Sequence, residues 1–174
     1  MGLLSGKKAL ILGVANERSI AWGVTQALKE HGAQIALTYQ GETLKKRVEP
    51  LAELCQADFV TEVDVTSDDH IKNLASTIKE KWGNFDILVH SIAYAEKDDL
   101  HSNFSQTSRN GFKVAHDISA YSLVGLCKEL GPLIRDNGSV MAMTYYGSQK
   151  VLPGYNVMAV AKSALETSVR YLAY

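Results

Sequence analysis

A chain of 174 residues, 46% hydrophobic and 21% charged, has the composition of one ordinary globular domain. Its 18 basic and 19 acidic residues leave a net charge of -1, which argues against the basic stripe of a nucleic-acid binder. No apolar run nears the ~18 residues of a membrane span, and the opening Met-Gly-Leu-Leu-Ser-Gly-Lys-Lys reads as too short and too quickly polar for a signal peptide.

In chain order, Lys7 to Gly13 is a short apolar run like a central strand, and Val14 to Arg18 is a polar turn. Ser19 is placed to cap a helix whose stripe is Ile20, Val24 and Leu28, with Gly32 just past its end. Gln34 to Tyr39 reads as a second strand, and a second helix starts at Gly41 and runs to about Leu54. Asp58 to Val63 is a third strand; Ser67 caps a third helix ending near Trp82-Gly83. Phe85 to His90 is a fourth strand. A polar loop from Ala95 to Thr107 precedes a single fourth helix reaching about Leu133. Asn137-Gly138 turns into a fifth, buried strand, Ser139 to Thr144, and a fifth helix begins near Tyr155.

Strand and helix alternate five times without a hairpin signal. That predicts a Rossmann-type α/β fold, a doubly wound parallel sheet of five βα units with a crevice at the carboxyl ends of its strands. There is no repeat or interdomain linker, so residues 1–174 read as one dinucleotide-binding domain. The ending Val169-Arg-Tyr-Leu-Ala-Tyr174 is helical in character and carries no stop signal. The expectation is a domain interrupted before its C-terminal part. Cys55 and Cys127 have neither metal nor redox spacing and read as structural thiols of a reducing compartment, with cytoplasm the default. The histidines at 31, 70, 90, 101 and 116 form no metal-ligand set, so no metal is expected. Trp22, Trp82 and His90 read as packing.

Several strand ends suit a dinucleotide. Gly13 allows close backbone approach, and Ser19 with Ile20 offers free N–H groups at a helix start, although no G-x-G-x-x-G string is present. The same residues also make a plain strand-to-helix turn. Gln40 ends the second strand, where an NAD site often has an acid and an NADP site an arginine. It can bond a ribose hydroxyl, and with Lys45, Lys46 and Arg47 reading as a solvated face, NADH is favoured over NADPH. Asp64-Val65 can bracket an adenine, or Asp64 can cap the next helix. Ile92 lies in a small-residue segment, Ser91 to Ala93, where a flat cofactor can rest on backbone.

Tyr155 and Lys162 are seven positions apart. At ~100° per residue, seven helical steps return to within about 20° of the start, so a phenol and an ammonium share one face two turns apart. Helix geometry makes many such pairs by accident; this one matters where a cofactor site accompanies it.

Taken together, Gly13…Ser19-Ile-Ala, Thr-Tyr-Gln40, Asp64-Val65, His90-Ser-Ile-Ala, Phe112-Lys-Val-Ala-His-Asp-Ile-Ser119 and Tyr145…Tyr155-Asn-Val-Met-Ala…Lys162 resemble the bacterial enoyl-acyl-carrier-protein reductases. These form the divergent branch of the short-chain dehydrogenase/reductase superfamily. Ordinary members place the catalytic tyrosine four residues before the lysine, where this chain has Met158, and a serine where it has Tyr145. The resemblance implies an oxidoreductase of fatty acid biosynthesis that reduces the trans-2 double bond of an enoyl thioester on acyl carrier protein with NADH. It implies catalytic roles for Tyr145, Tyr155 and Lys162. Cofactor contacts would come from Gly13, Ser19, Ile20, Gln40, Asp64, Val65, Ile92 and Lys162, and substrate contacts from Ala95, Tyr145 and Tyr155. It also implies a homotetramer packed through the fourth and fifth helices, where Ala115, Ser119, Ala120, Ala159, Ala161 and Ala164 allow close approach or simply pack within the domain. The family continues beyond this length with further strands and a substrate lid, so the 174 residues alone are expected to be inactive or nearly so. The rival readings are a carbonyl or alcohol dehydrogenase of the same superfamily, which Met158 disfavours, and an inactive dinucleotide-binding sensor.

Overall fold

The computed structural model describes residues 2–174. The chain forms two compact units, one of the residues up to Ser91 with Glu129–Met141, the other of Ile92–Lys128 with Ala142–Tyr174.

The first unit is built on strands β1 (Lys8–Leu12), β2 (Gln34–Tyr39), β3 (Phe59–Glu62), β4 (Phe85–His90) and β5 (Ile134–Ala142), alternating with helices α1 (Ile20–Glu30), α2 (Gly41–Leu54) and α3 (Asp68–Trp82). The sheet order is β3-β2-β1-β4-β5, and β1 pairs in parallel with both β2 and β4. This is the Rossmann order, and the chain reverses direction across the sheet between β1 and β4. Leu10 pairs with Ala36 on one side and Leu88 on the other. Leu10, Ile11, Leu12, Leu37 and Leu88 are fully buried. At about 1.5–3 kcal/mol for each such side chain, this central run is the main source of the unit's cohesion.

The helices stop where the chain can turn left-handed. After α1, Gly32 takes φ +94° while its N–H bonds Lys29 O and that of Ala33 bonds Leu28 O. After α2, Gln56 at φ +52° donates its N–H to Glu53 O, and the N–H of Ala57 bonds Ala52 O. Both are Schellman closures.

Two expectations for this unit are corrected. The buried face of α1 is Ala21, Trp22 and Thr25, while Ile20 is 69% exposed. Spacing four fitted either stripe, and the bulk of Trp22 selects the one facing the sheet. The fifth strand begins at Ile134, runs through Asn137-Gly138, and is mostly exposed. It lies at the sheet edge, where apolar composition alone does not secure burial.

The second unit holds α4 (Lys97–His101), α5 (Arg109–His116), all but the last two residues of α6 (Ser122–Leu130), α7 (Asn156–Ala173) and a 3₁₀ turn at Tyr146–Ser148. The segment expected as a polar loop therefore contains α4. Its ends are tied by distant residues: Asp99 accepts from Ser108 N and Oγ at 2.7 and 3.1 Å, and Asn156 Nδ2 donates to Leu100 O and Ser102 O. The expected single fourth helix is interrupted by a π-helical turn, Asp117–Tyr121. There buried Ser119 both accepts from Tyr94 N and donates to Tyr94 O, each at 3.0 Å. Such turns recur at functional sites.

Ala115, Val157, Met158 and Ala161 form one core cluster, flanked by Ala95, Leu100 and Tyr155. Ala120, Leu123 and Leu165 form another, flanked by Cys127, Ala142 and Ala164. Ala115, Ser119, Ala120 and Ala161 are thus buried within this unit itself.

Candidate active site

In the first unit the predicted residues fall at the carboxyl ends of β1, β2 and β3 and at the start of α1. Gly13 takes φ +102°, and a Cβ there would overlap the Ser91 carbonyl. Only glycine meets both demands. Ser19 stands at the N-cap of α1, yet its side chain makes no capping bond. Its hydroxyl donates to Asn16 O at 2.7 Å and accepts from Ala15 N at 3.4 Å, bracing the loop instead. The first-turn N–H groups of Ile20 and Ala21 are therefore not capped by it, which suits a phosphate.

Asp64 accepts from Thr66 N at 2.9 Å and Thr66 Oγ1 at 2.7 Å, and a bond from the Gln40 side chain joins these. Partial burial pushes its carboxyl up, but the Thr66 and Gln40 bonds outweigh that and hold it below the usual range. Gln40 and Asp64 are thus brought together. The cap of α3 is Ser67, which accepts from His70 N, and not Asp64. The Asp64 N–H is held by His70 Nδ1 at 3.1 Å. Val65 is buried.

In the second unit, Ile92 and Ala95 are partly buried, Ala95 beside the cluster that also supports Tyr155. Tyr155 is the N-cap of α7 and not its first helical residue, and Asn156 has φ +35°. The helical-wheel argument therefore fails at its first step. The two side chains nonetheless converge on one segment. Lys162 Nζ donates to Met143 O at 2.7 Å, and the Tyr155 ring meets the Tyr145 ring edge-on, centroids 4.8 Å apart and planes at 71°. A Cβ on Gly147 would overlap the Tyr155 ring, so this glycine shapes the ring's seat.

Lys162 is only 4% exposed. Among the described residues Met143 O is its one acceptor, although an ammonium has three donors. Burial lowers its pKa. Burial, then the neighbouring Tyr145, raises that of Tyr155, which keeps the phenol protonated at neutral pH. A buried cation with spare donors fits a group of several hydroxyls, such as a ribose. Met158, in the position of the ordinary superfamily tyrosine, is buried in the apolar cluster.

Sequence reasoning missed Gly147, Asn156, Ser119 and Glu166. Gly147 and Asn156 carried a signal, since each interrupts a run that otherwise favours regular structure. Glu166 carried a misleading one: at four residues from Lys162 it suggests a helix-face ion pair. It instead accepts from Thr144 Oγ1 at 2.7 Å and Ser148 Oγ at 2.5 Å. Among the described residues no group of three or more His, Cys, Asp or Glu is placed to hold a metal, and no helix is long and apolar enough to cross a membrane.

Strand order, the glycine at the β1 end and the tyrosine–lysine convergence define a Rossmann-like protein of the short-chain dehydrogenase/reductase class. The family described as enoyl-(acyl carrier protein) reductase matches residues 13–174, and the chain belongs to it. It is 53% identical to an enoyl-[acyl-carrier-protein] reductase [NADH] of Aquifex aeolicus, over 100% of this chain and 65% of that protein. It is 49% identical to one of Rickettsia bellii, over 99% and 66%. The crystal structure of the Aquifex aeolicus enzyme matches with a TM-score of 0.97, covering 99% of this chain and 69% of that one. The Anaplasma phagocytophilum reductase in complex with NAD matches at 0.96 with 42% identity, covering 99% and 66%. The chain thus spans about two thirds of the length of its curated relatives.

Proposed function

We propose that the protein is an NADH-dependent reductase of trans-2-enoyl thioesters carried on acyl carrier protein, acting in fatty acid biosynthesis. The observation that carries this is the meeting of Tyr155 and buried Lys162 on the Met143–Gly147 segment, with, among the described residues, two ammonium protons left for a ligand. The names of the relatives, which specify NADH and enoyl-acyl-carrier-protein, support cofactor and substrate.

NADH, when bound, supplies the hydride. Gly13 gives it close approach to backbone, Ser19 and Ile20 present the α1 terminus to its phosphates, and Gln40, Asp64 and Val65 serve the adenosine end, with Ile92 a further contact. Residues 1–174 act as one dinucleotide-binding domain in this reading. Lys162 holds the nicotinamide ribose hydroxyls and biases the site towards negative charge. Tyr155, a neutral phenol, donates a hydrogen bond to the thioester oxygen as charge builds there, worth ~3 kcal/mol for a preorganised donor. Tyr145 and Ala95 line the substrate side. We further propose a homotetramer in the cytoplasm; the exposed Phe112, Tyr121, Val160 and Val169 supply apolar surface for it.

The test is to give the full-length protein NADH or NADPH with a crotonyl thioester or a ketone, and follow loss of reduced-nicotinamide absorbance. Consumption of NADH with the enoyl thioester alone is expected. Turnover of the ketone alone marks a carbonyl reductase, and tight NADH binding without any turnover marks a sensor; either overturns the proposal.

A further inference from the structure

Helix α7 reaches back to the loop after β5 at several residues. Lys162 bonds Met143 O, and Ser163 Oγ donates to Ser148 O at 2.8 Å. Between these, one oxygen of Glu166 accepts both the Thr144 and the Ser148 hydroxyls. The residues that it holds flank the short turn carrying Tyr145, which closes through Ser148 N donating to Tyr145 O at 3.0 Å. Tyr145 itself is 52% exposed, and its ring meets that of Tyr155 edge-on. A half-exposed ring on a loop needs its backbone held if it is to keep one place. A carboxylate accepting two hydroxyls is the strong kind of bond for that purpose.

We propose that Glu166 is a positioning residue: by clamping Thr144 and Ser148 it sets Tyr145 against Tyr155. This rests on the reading of both tyrosines as active-site residues. Glu166 is four residues from Lys162 yet turns to the loop, so these two charges of α7 divide the loop between them. Lys162 takes the Met143 carbonyl and Glu166 the hydroxyls on either side of Tyr145. The Ser148 and Thr144 bonds hold the Glu166 carboxyl below its ordinary range, in keeping with an ionised acceptor. A tie that served stability alone would leave turnover per folded molecule untouched.

The experiment uses the full-length protein labelled with 3-fluorotyrosine, the Tyr145 resonance being assigned by its loss in Tyr145→Phe. Glu166→Ala is expected to shift that resonance towards free fluorotyrosine and to lower kcat about tenfold, with KM for NADH changed less than about twofold, as small misplacements do. Glu166→Gln, whose amide oxygen still accepts, is expected to lose about threefold. In a Tyr145→Ala background, Glu166→Ala is expected to cost less than about twofold more. Should Glu166→Ala not fold, Thr144→Val with Ser148→Ala removes the clamp from the other side. An unmoved resonance, or a full additional loss in the Tyr145→Ala background, overturns the proposal. A protein that reduces no enoyl thioester overturns the functional reading, while the resonance, which needs no turnover, still decides whether Glu166 places Tyr145.

Discussion

Asp86 on β4 and Lys162 on α7 are both buried charges, and their surroundings are opposite. The Asp86 side chain, 2% exposed, accepts from Lys7 Nζ at 2.9 Å, Lys8 N at 3.0 Å and Arg135 Nη1 at 3.3 Å. Among the described residues, Lys162 has one carbonyl. A charge matched on several sides holds structure together, whereas one left with spare donors costs stability and is ready for a ligand. The number of partners separates the two more clearly than burial does.

The largest effect expected from this contrast is at the matched site. Asp86→Ala removes three bonds and leaves two cations without their anion, at a cost of about 3 kcal/mol. Urea unfolding measures it; a loss under about 1 kcal/mol would make the matched cluster ornamental. Next comes the phenol beside the unmatched site. Tyr155→Phe keeps the ring packing on Tyr145 and is expected to lower turnover by about 10²-fold with NADH affinity nearly unchanged. Equal damage to both would place Tyr155 with the cofactor instead of the thioester.

A smaller effect appears in pH. Burial raises the Asp86 carboxyl, but the Lys7 and Lys8 bonds and the charges of Lys7 and Arg135 outweigh it, leaving a pKa below the ordinary 3.8. A depressed folded pKa contributes stability that is complete above the unfolded value and is lost as pH falls through the folded one. Burial lowers the pKa of Lys162 from 10.5, so the folded state disfavours its charge. That penalty is full in acid and is relieved as pH rises from the folded pKa towards the unfolded one. Chemical unfolding across pH should show an acid limb that Asp86→Asn removes and a shallow alkaline rise that Lys162→Met removes. Exchange of those assignments would break the comparison.

Much of the first unit was legible because its determinants are local. β2, α2 and β4 lie where composition and glycine punctuation set them, since β-branched runs and Gly32 act over a few residues. The misses are long-range. Which stripe of α1 is buried depends on the sheet, the exposure of β5 on its place in the strand order, and the bracing role of Ser19 on a loop bond. In the second unit α4 is tied by Asn156, more than fifty positions away, and no local pattern announces that. Tyr155 and Lys162 were paired by a wheel that the backbone does not follow. They converge because the loop after β5 receives both.

The most direct test of that convergence is thermal unfolding of full-length wild type and Lys162→Met, each with and without NADH. Without NADH the variant should be the more stable, by about 1 kcal/mol, because an under-matched charge has left the interior. With NADH at a hundred times its wild-type Kd, wild type should gain about 2.7 kcal/mol and a variant binding tenfold more weakly only about 1.4. A variant that is less stable without NADH and gains as much from it as wild type would show that Lys162 is a structural cation and that the site has been misread.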